Sequence, residues 1–170
     1  MCEPDTVITL VLGGARSGKS RHAENLAARL LPPVTYVATA VIDDTDRDHA
    51  ARVAAHRARR DPAWMTVEAG ADLAPALRKV VGSVLIDSLG AWVAAHDAFA
   101  VDLEELCKAL SSRDGDTLVA SEEVGLGVHP SSDLGRRFRD VLGDVNAAVA
   151  DVADDVLLVI AGRVLPLERG

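Results

Sequence analysis

The chain has 170 residues, 18 of them Lys or Arg and 26 Asp or Glu, for a formal charge of −8. With 49% hydrophobic and 26% charged residues the composition is globular rather than disordered, and the length fits one domain, residues 1–170. The acidic balance argues against general nucleic-acid binding, which needs a basic face, yet leaves room for a nucleotide in a local basic pocket.

In chain order, short β-branched runs alternate with longer Ala-rich stretches. Strands are predicted at Val7–Leu12, Val34–Ala38, Val84–Asp87, Thr117–Ser121 and Val156–Ile160. Each is almost continuously apolar, as strands covered on both faces are. Helices are predicted at Lys19–Leu31, Asp46–Arg60, Asp72–Val80, Leu103–Leu110 and Leu134–Ala153, with Pro32-Pro33 stopping the first. The segment Leu89–Phe99 reads as helix or as loop. This alternation implies right-handed crossovers and an α/β fold, a mainly parallel sheet flanked by helices. In such sheets ligands sit beyond the carboxyl ends of the strands, so the chemistry is expected in the segments that follow them. The first apolar run is too short for a signal sequence and follows acidic residues. The run Val156–Ala161 is strand-sized, so a cytoplasmic protein without a membrane span is expected. Cys2 and Cys107 have neither a disulfide framework nor metal spacing and read as free thiols.

Gly13-Gly14-Ala15-Arg16-Ser17-Gly18-Lys19-Ser20 matches G-x-x-x-x-G-K-[ST] without deviation, between a predicted strand and a predicted helix. Glycines let the backbone curl so that its N–H groups point at phosphate oxygens, and the helix start adds partial positive charge. Lys19 is expected to bridge β- and γ-phosphates, and Ser20 to ligate Mg²⁺. Val84-Leu85-Ile86-Asp87 is an apolar strand ending in an acid, the form of a Walker B carboxylate that holds Mg²⁺. A strand that merely ends at Asp before a turn has the same form. Asp43 and Asp44 read as the cap and first turn of the helix that follows.

His49 and His56 are seven residues apart and share a helix face, with Arg52 and Arg59 flanking His56. Nearby cations favour neutral imidazole, and a neutral His beside a triphosphate can attack phosphorus to give a phosphoramidate. On spacing alone the preferred reading is solvated helix residues among salt-bridging Arg and Asp. His22 reads as structural, and His96 and His129 have no companion that points to a role. The segment Ser121–Pro130, with Glu122, Glu123, Gly125 and Gly127, reads as a shaped binding loop. Arg136, Arg137 and Arg139 then oppose the dipole of the last helix. A phosphate or carboxylate partner explains them, and so does salt bridging with Asp133 and Asp140.

Taken together these residues resemble the adenosylcobinamide kinase / adenosylcobinamide-phosphate guanylyltransferase family of cobalamin biosynthesis. The matching pieces are Gly13 to Arg21, then Tyr36-Val37-Ala38-Thr39-Ala40, Arg52-Val53 with His56, and Trp64, Thr66 and Glu68. Asp87-Ser88-Leu89, Trp92-Val93, Glu123 to Val128 and Pro130 follow, then Arg136, Phe138-Arg139-Asp140, Gly143, Asn146 and Ala153-Asp154. The resemblance implies a P-loop NTPase fold similar to the RecA core, and two reactions. A nucleoside triphosphate, ATP or GTP, phosphorylates the aminopropanol hydroxyl of adenosylcobinamide. GTP then guanylylates a histidine, which falls on His56, and the GMP passes to adenosylcobinamide phosphate. The resemblance also places nucleotide contacts at Arg52, Glu68 and Asp87 and implies a homotrimer with active sites at subunit boundaries. Glu122 departs from it, because Asn is more usual there, and adds negative charge near the phosphate site. A plain small-molecule P-loop kinase is the competing reading. A nucleotide-binding switch is weakened by the lack of an Asn-Lys-x-Asp motif.

Overall fold

The computed structural model describes residues 6–41 and 61–170. They form a seven-stranded sheet of β1 (Ile8–Gly13), β2 (Val34–Ala38), β3 (Met65–Glu68), β4 (Ser83–Asp87), β5 (Thr117–Glu122), β6 (Asp155–Ile160) and β7 (Arg163–Leu167). The order across the sheet is β3-β2-β4-β5-β1-β6-β7. All neighbours run parallel except β6 and β7, so the carboxyl ends of β1 to β6 share one edge. The helices are α1 (Lys19–Ala27), α2 (Leu73–Leu77), α3 (Leu89–Ala94), α4 (Leu103–Ser111) and α5 (Asp133–Val152).

Period-two alternation along the strands divides the core. Leu10, Leu12, Val37, Val84, Ile86 and Val119 pack with Leu73, Leu77, Trp92, Leu106, Leu110, Leu142, Val145 and Val149, on the face carrying α2 to α5. Val11, Tyr36, Ala38, Leu85, Leu118 and Ala120 pack on the other face with Ala23 and Ala27 of α1. The alternation that aims Leu85 and Ala120 at α1 carries on to Asp87 and Glu122, each two residues further along. Both acids therefore reach the sheet edge on the side where α1 begins.

The five predicted strands are present. The edge strands β3 and β7 are not among the predicted strands: β3 is four mostly exposed residues with no apolar run, and Pro166 interrupts the apolar residues of β7. Pro166 sits in β7, where the sheet edge tolerates a missing donor. Ala161 and Gly162, with φ of 50° and 73°, make the two-residue turn into β7. The first helix stops at Ala27 rather than Leu31, its tail tightening into Arg29-to-Leu26 and Leu30-to-Ala27 bonds. The predicted helix Asp72–Val80 shortens to α2 in the same way, through Lys79-to-Ala76 and Val80-to-Leu77 bonds. Leu89–Phe99 resolves into α3 and a 3₁₀ turn at Asp97–Phe99. The helix predicted at Asp46–Arg60 lies outside the described residues. No helix among the described residues is long and apolar enough to cross a membrane. The thiol of Cys107, the one cysteine among the described residues, faces the Ala148 carbonyl. Burial and the nearby Asp151 push its pKa up, as an inert thiol requires.

Arg113, only 8% exposed, ties the loop before β4 to β5. It donates to the carbonyls of Leu77 (2.9 Å), Val80 (3.0 Å) and Gly82 (2.5 Å) and to the Thr117 hydroxyl (3.3 Å). Burial lowers its pKa, with Asp114 acting the other way. Arg113→Leu leaves three carbonyls without this donor and is expected to cost about 2–4 kcal/mol of unfolding free energy. Urea melts check this. A loss below about 0.5 kcal/mol would mean that the carbonyls find other donors.

Candidate active site at the phosphate loop

β1 ends at Gly13, and the chain turns through Gly14 to Gly18 into α1. A Cβ on Gly13 would lie 2.4 Å from Ser17 Oγ and 2.8 Å from the Val159 carbonyl oxygen, so only glycine fits this crossing. Within the loop the Ser17 N–H donates to the Gly14 carbonyl (3.3 Å), and the Lys19 N–H donates to Ser17 Oγ (3.3 Å). Two distant segments brace it. The Gly162 N–H, in the β6–β7 turn, donates to the Ser17 carbonyl at 2.8 Å. The Glu123 N–H, just past β5, donates to the Gly13 carbonyl at 3.1 Å. The loop is thus held as a fixed curl at the carboxyl edge of the sheet, the form in which its N–H groups can face an anion.

Lys19 opens α1, and its Nζ stands 3.1 Å from Glu122 Oε1. The sheet order explains the pairing. β5 lies between β1 and β4, so the acid on the nearer strand is Glu122, and Asp87 is one strand further away. Asp87 accepts a 2.5 Å bond from the Tyr36 hydroxyl of β2. Ser88, next in the chain, is clasped by Thr39: its N–H donates to Thr39 Oγ1 (2.9 Å), and that hydroxyl donates to its carbonyl (2.6 Å). The Ser88 hydroxyl in turn accepts the Ala91 N–H and caps α3. On the other side Asn146 of α5 donates to the Glu122 carbonyl (3.0 Å), and its Oδ1 accepts from the Ser121 hydroxyl (2.5 Å).

Of the sequence-predicted residues, Gly13, Gly14, Ala15, Arg16, Ser17, Gly18, Lys19 and Ser20 form one loop, and Asp87 lies on the same sheet edge. Glu68 ends β3 on that edge, four strand positions from β1. At about 4.8 Å per strand it is roughly 19 Å away, and it is not brought to the loop. Arg52, His56, His49, Asp43 and Asp44 lie outside the described residues. For Arg136 and Arg139 the structure shows the salt-bridged arrangement, with Asp133 and Asp140; Arg139 also meets His129 at 2.9 Å. Tyr36, Thr39, Ser88 and Asn146 had no assigned role in the sequence reading and emerge as bracing. Their sequence signals are that each is polar in or beside an apolar segment and that each falls in a stretch that carries the family resemblance.

A phosphate loop at the carboxyl edge of a parallel sheet, its lysine facing an acid on the neighbouring strand, defines a P-loop nucleotide-binding α/β protein. The model of one protein family, described as cobinamide kinase / cobinamide phosphate guanyltransferase, matches residues 9–167. The chain is 39% identical over 168 residues to the bifunctional adenosylcobalamin biosynthesis protein CobP of Pseudomonas aeruginosa, covering 94% of this chain and 96% of that one. It is 35% identical over 178 residues to the bifunctional adenosylcobalamin biosynthesis protein CobU of Salmonella typhimurium, covering 92% and 97%. The Escherichia coli protein of the same name matches with the same identity and coverage. Among solved structures, the P4 protein of bacteriophage phi6 in complex with ADP aligns with a TM-score of 0.41 and 16% identity. That alignment covers 94% of this chain and 52% of that one. The chain belongs to the cobinamide kinase / cobinamide phosphate guanyltransferase family.

Proposed function

We propose that the protein catalyses two successive group transfers on adenosylcobinamide. In the first, the aminopropanol hydroxyl attacks the γ-phosphorus of ATP or GTP, loses its proton, and expels a nucleoside diphosphate. In the second, neutral His56 attacks the α-phosphorus of GTP and expels pyrophosphate. The phosphate of adenosylcobinamide phosphate then displaces the histidine to give adenosyl-GDP-cobinamide. The observation that carries this reading is the family match over residues 9–167 on a chain whose phosphate loop is intact.

The residues take roles that follow from charge. The loop N–H groups of Gly13 to Ser20 surround the phosphates, and Lys19 neutralises charge that develops on them. Mg²⁺ suits the donors at hand, because Ser20 and Asp87 offer oxygens only, and this ion keeps several waters and needs few protein ligands. Bound there with the nucleotide, it would neutralise phosphate charge. Arg52 holds incoming phosphate beside His56, and Glu68 takes the part of the nucleotide furthest from the loop. A covalent step lets pyrophosphate leave before the bulky corrinoid phosphate must attack. We assign the protein to the cytoplasm and to a homotrimer, with no nucleic-acid partner. The exposed apolar residues of edge strand β7, Val164, Leu165 and Leu167, support an assembly in which protein covers them.

Product analysis tests the reading. With ATP, Mg²⁺ and adenosylcobinamide, the reaction is expected to stop at adenosylcobinamide phosphate, and added GTP is expected to carry it on to the GDP derivative. Adenosylcobinamide recovered unchanged under both conditions would overturn it. Asp87→Asn is expected to raise the Mg²⁺ concentration needed for half-maximal rate by about tenfold or more in both reactions. An unchanged Mg²⁺ dependence would remove Asp87 from the metal site.

A further inference from the structure

Glu122 is a carboxylate beside a loop shaped for anionic phosphate, and it is held there from several sides. Oε1 faces Lys19 Nζ at 3.1 Å. Oε2 accepts from the Ser88 hydroxyl (3.0 Å) and from the Gly90 N–H (3.1 Å). A Cβ on residue 90 would lie 2.1 Å from Oε2, so the close approach of this carboxylate requires glycine there. The main chain of Glu122 is fixed in turn by Asn146, and Ser88 by Thr39. With both oxygens engaged, the acid is a fixed charge and not a swinging arm. The Lys19 side chain is 11% exposed and that of Glu122 31%, so their attraction is screened less than that of a surface pair.

We propose that Glu122 is a positioning residue for Lys19, fixing its ammonium at the phosphate loop so that nucleotide phosphates share this cation with a permanent carboxylate. Two effects of opposite sign follow. Aiming the lysine favours the transition state, in which charge builds on the transferred phosphoryl or nucleotidyl group. The fixed negative charge opposes the phosphates of bound nucleotide in the ground state. Affinity is thereby lowered while turnover is raised. The inference rests on the assignment of Lys19 as the phosphate-binding lysine in the reading above.

The test compares wild type, Glu122→Gln and Glu122→Asp by equilibrium binding of Mg²⁺–GTP and by kcat. Glu122→Gln removes the charge and keeps the shape. It is expected to bind GTP about tenfold tighter while kcat falls about tenfold. Glu122→Asp keeps the charge and shortens the reach. It is expected to hold wild-type affinity within about twofold and to lose turnover, so that charge sets binding and reach sets rate. Should Glu122→Gln fold poorly, the affinity and rate of Glu122→Asp still decide the matter. GTP affinity that is unchanged or weaker in Glu122→Gln, or a fall in affinity with the rate in Glu122→Asp, would overturn the proposal. The binding arm uses GTP alone and no corrinoid, so its outcome is independent of whether adenosylcobinamide is the acceptor.

Discussion

Lys19→Met is expected to lower both the kinase and the guanylyltransferase rates by about a hundred- to a thousandfold, the scale for losing one fixed charge-stabilising group from a transition state. The substitution keeps the length and apolar stem of the side chain and removes its charge. Its effect on the fold should be small, because the loop is held mainly by main-chain bonds from Gly162 and Glu123 that do not involve the ammonium. The loss should appear in kcat and kcat/KM together, since the lysine acts most strongly on charge that develops during transfer. Glu122 would then lack its cationic partner at 3.1 Å, which adds repulsion toward incoming phosphates and weakens GTP binding as well. Steady-state rates for each half-reaction, measured separately, check this. A loss confined to one of the two would mean that they do not share the phosphate loop.

His56→Ala is expected to separate the two reactions. Guanylyl transfer should fall by about ten-thousandfold or more, because the covalent route loses its nucleophile. Phosphorylation of adenosylcobinamide needs no protein nucleophile and should fall by less than about tenfold. Adenosylcobinamide phosphate would therefore accumulate in the presence of GTP. Equal losses in both reactions would give His56 a shared binding role in place of a covalent one.

The strongly local parts of this account are legible in the sequence. The phosphate loop is a contiguous pattern whose glycines, lysine and serine each answer a geometric need. The strands β1, β2, β4 and β5, covered on both faces, appear as apolar runs because both sets of alternating side chains are buried. The edge strands read less clearly: β3 is short and faces water, and the exposed apolar residues of β7 are interrupted by Pro166. Strand order is a non-local property, and the site depends on it. Only the insertion of β5 between β1 and β4 makes Glu122 the partner of Lys19, with Asp87 held by Tyr36 instead. The acid at 122 stands out in the sequence as added charge, but its clamping by Ser88 and Gly90 does not. Arg136 and Arg139 fit two readings in the sequence because an arginine beside Asp can serve a ligand or its neighbour. The choice between the two is made only in three dimensions, where they pair with Asp133 and Asp140. Likewise Arg113 is one more charged residue after a helix until its carbonyl partners at Leu77, Val80 and Gly82 are in place.

Covalent labelling tests the central claim, that one chain couples phosphoryl transfer at its phosphate loop to guanylyl transfer through His56. The protein and its His56→Ala variant are incubated with Mg²⁺ and GTP labelled at the α-phosphate, then denatured, and the bound label is counted. Label retained on the wild type alone, lost in acid and stable in alkali, is the predicted result and identifies a phosphoramidate at His56. No label on the wild type under conditions where GTP binds, or equal label on the variant, would contradict the account.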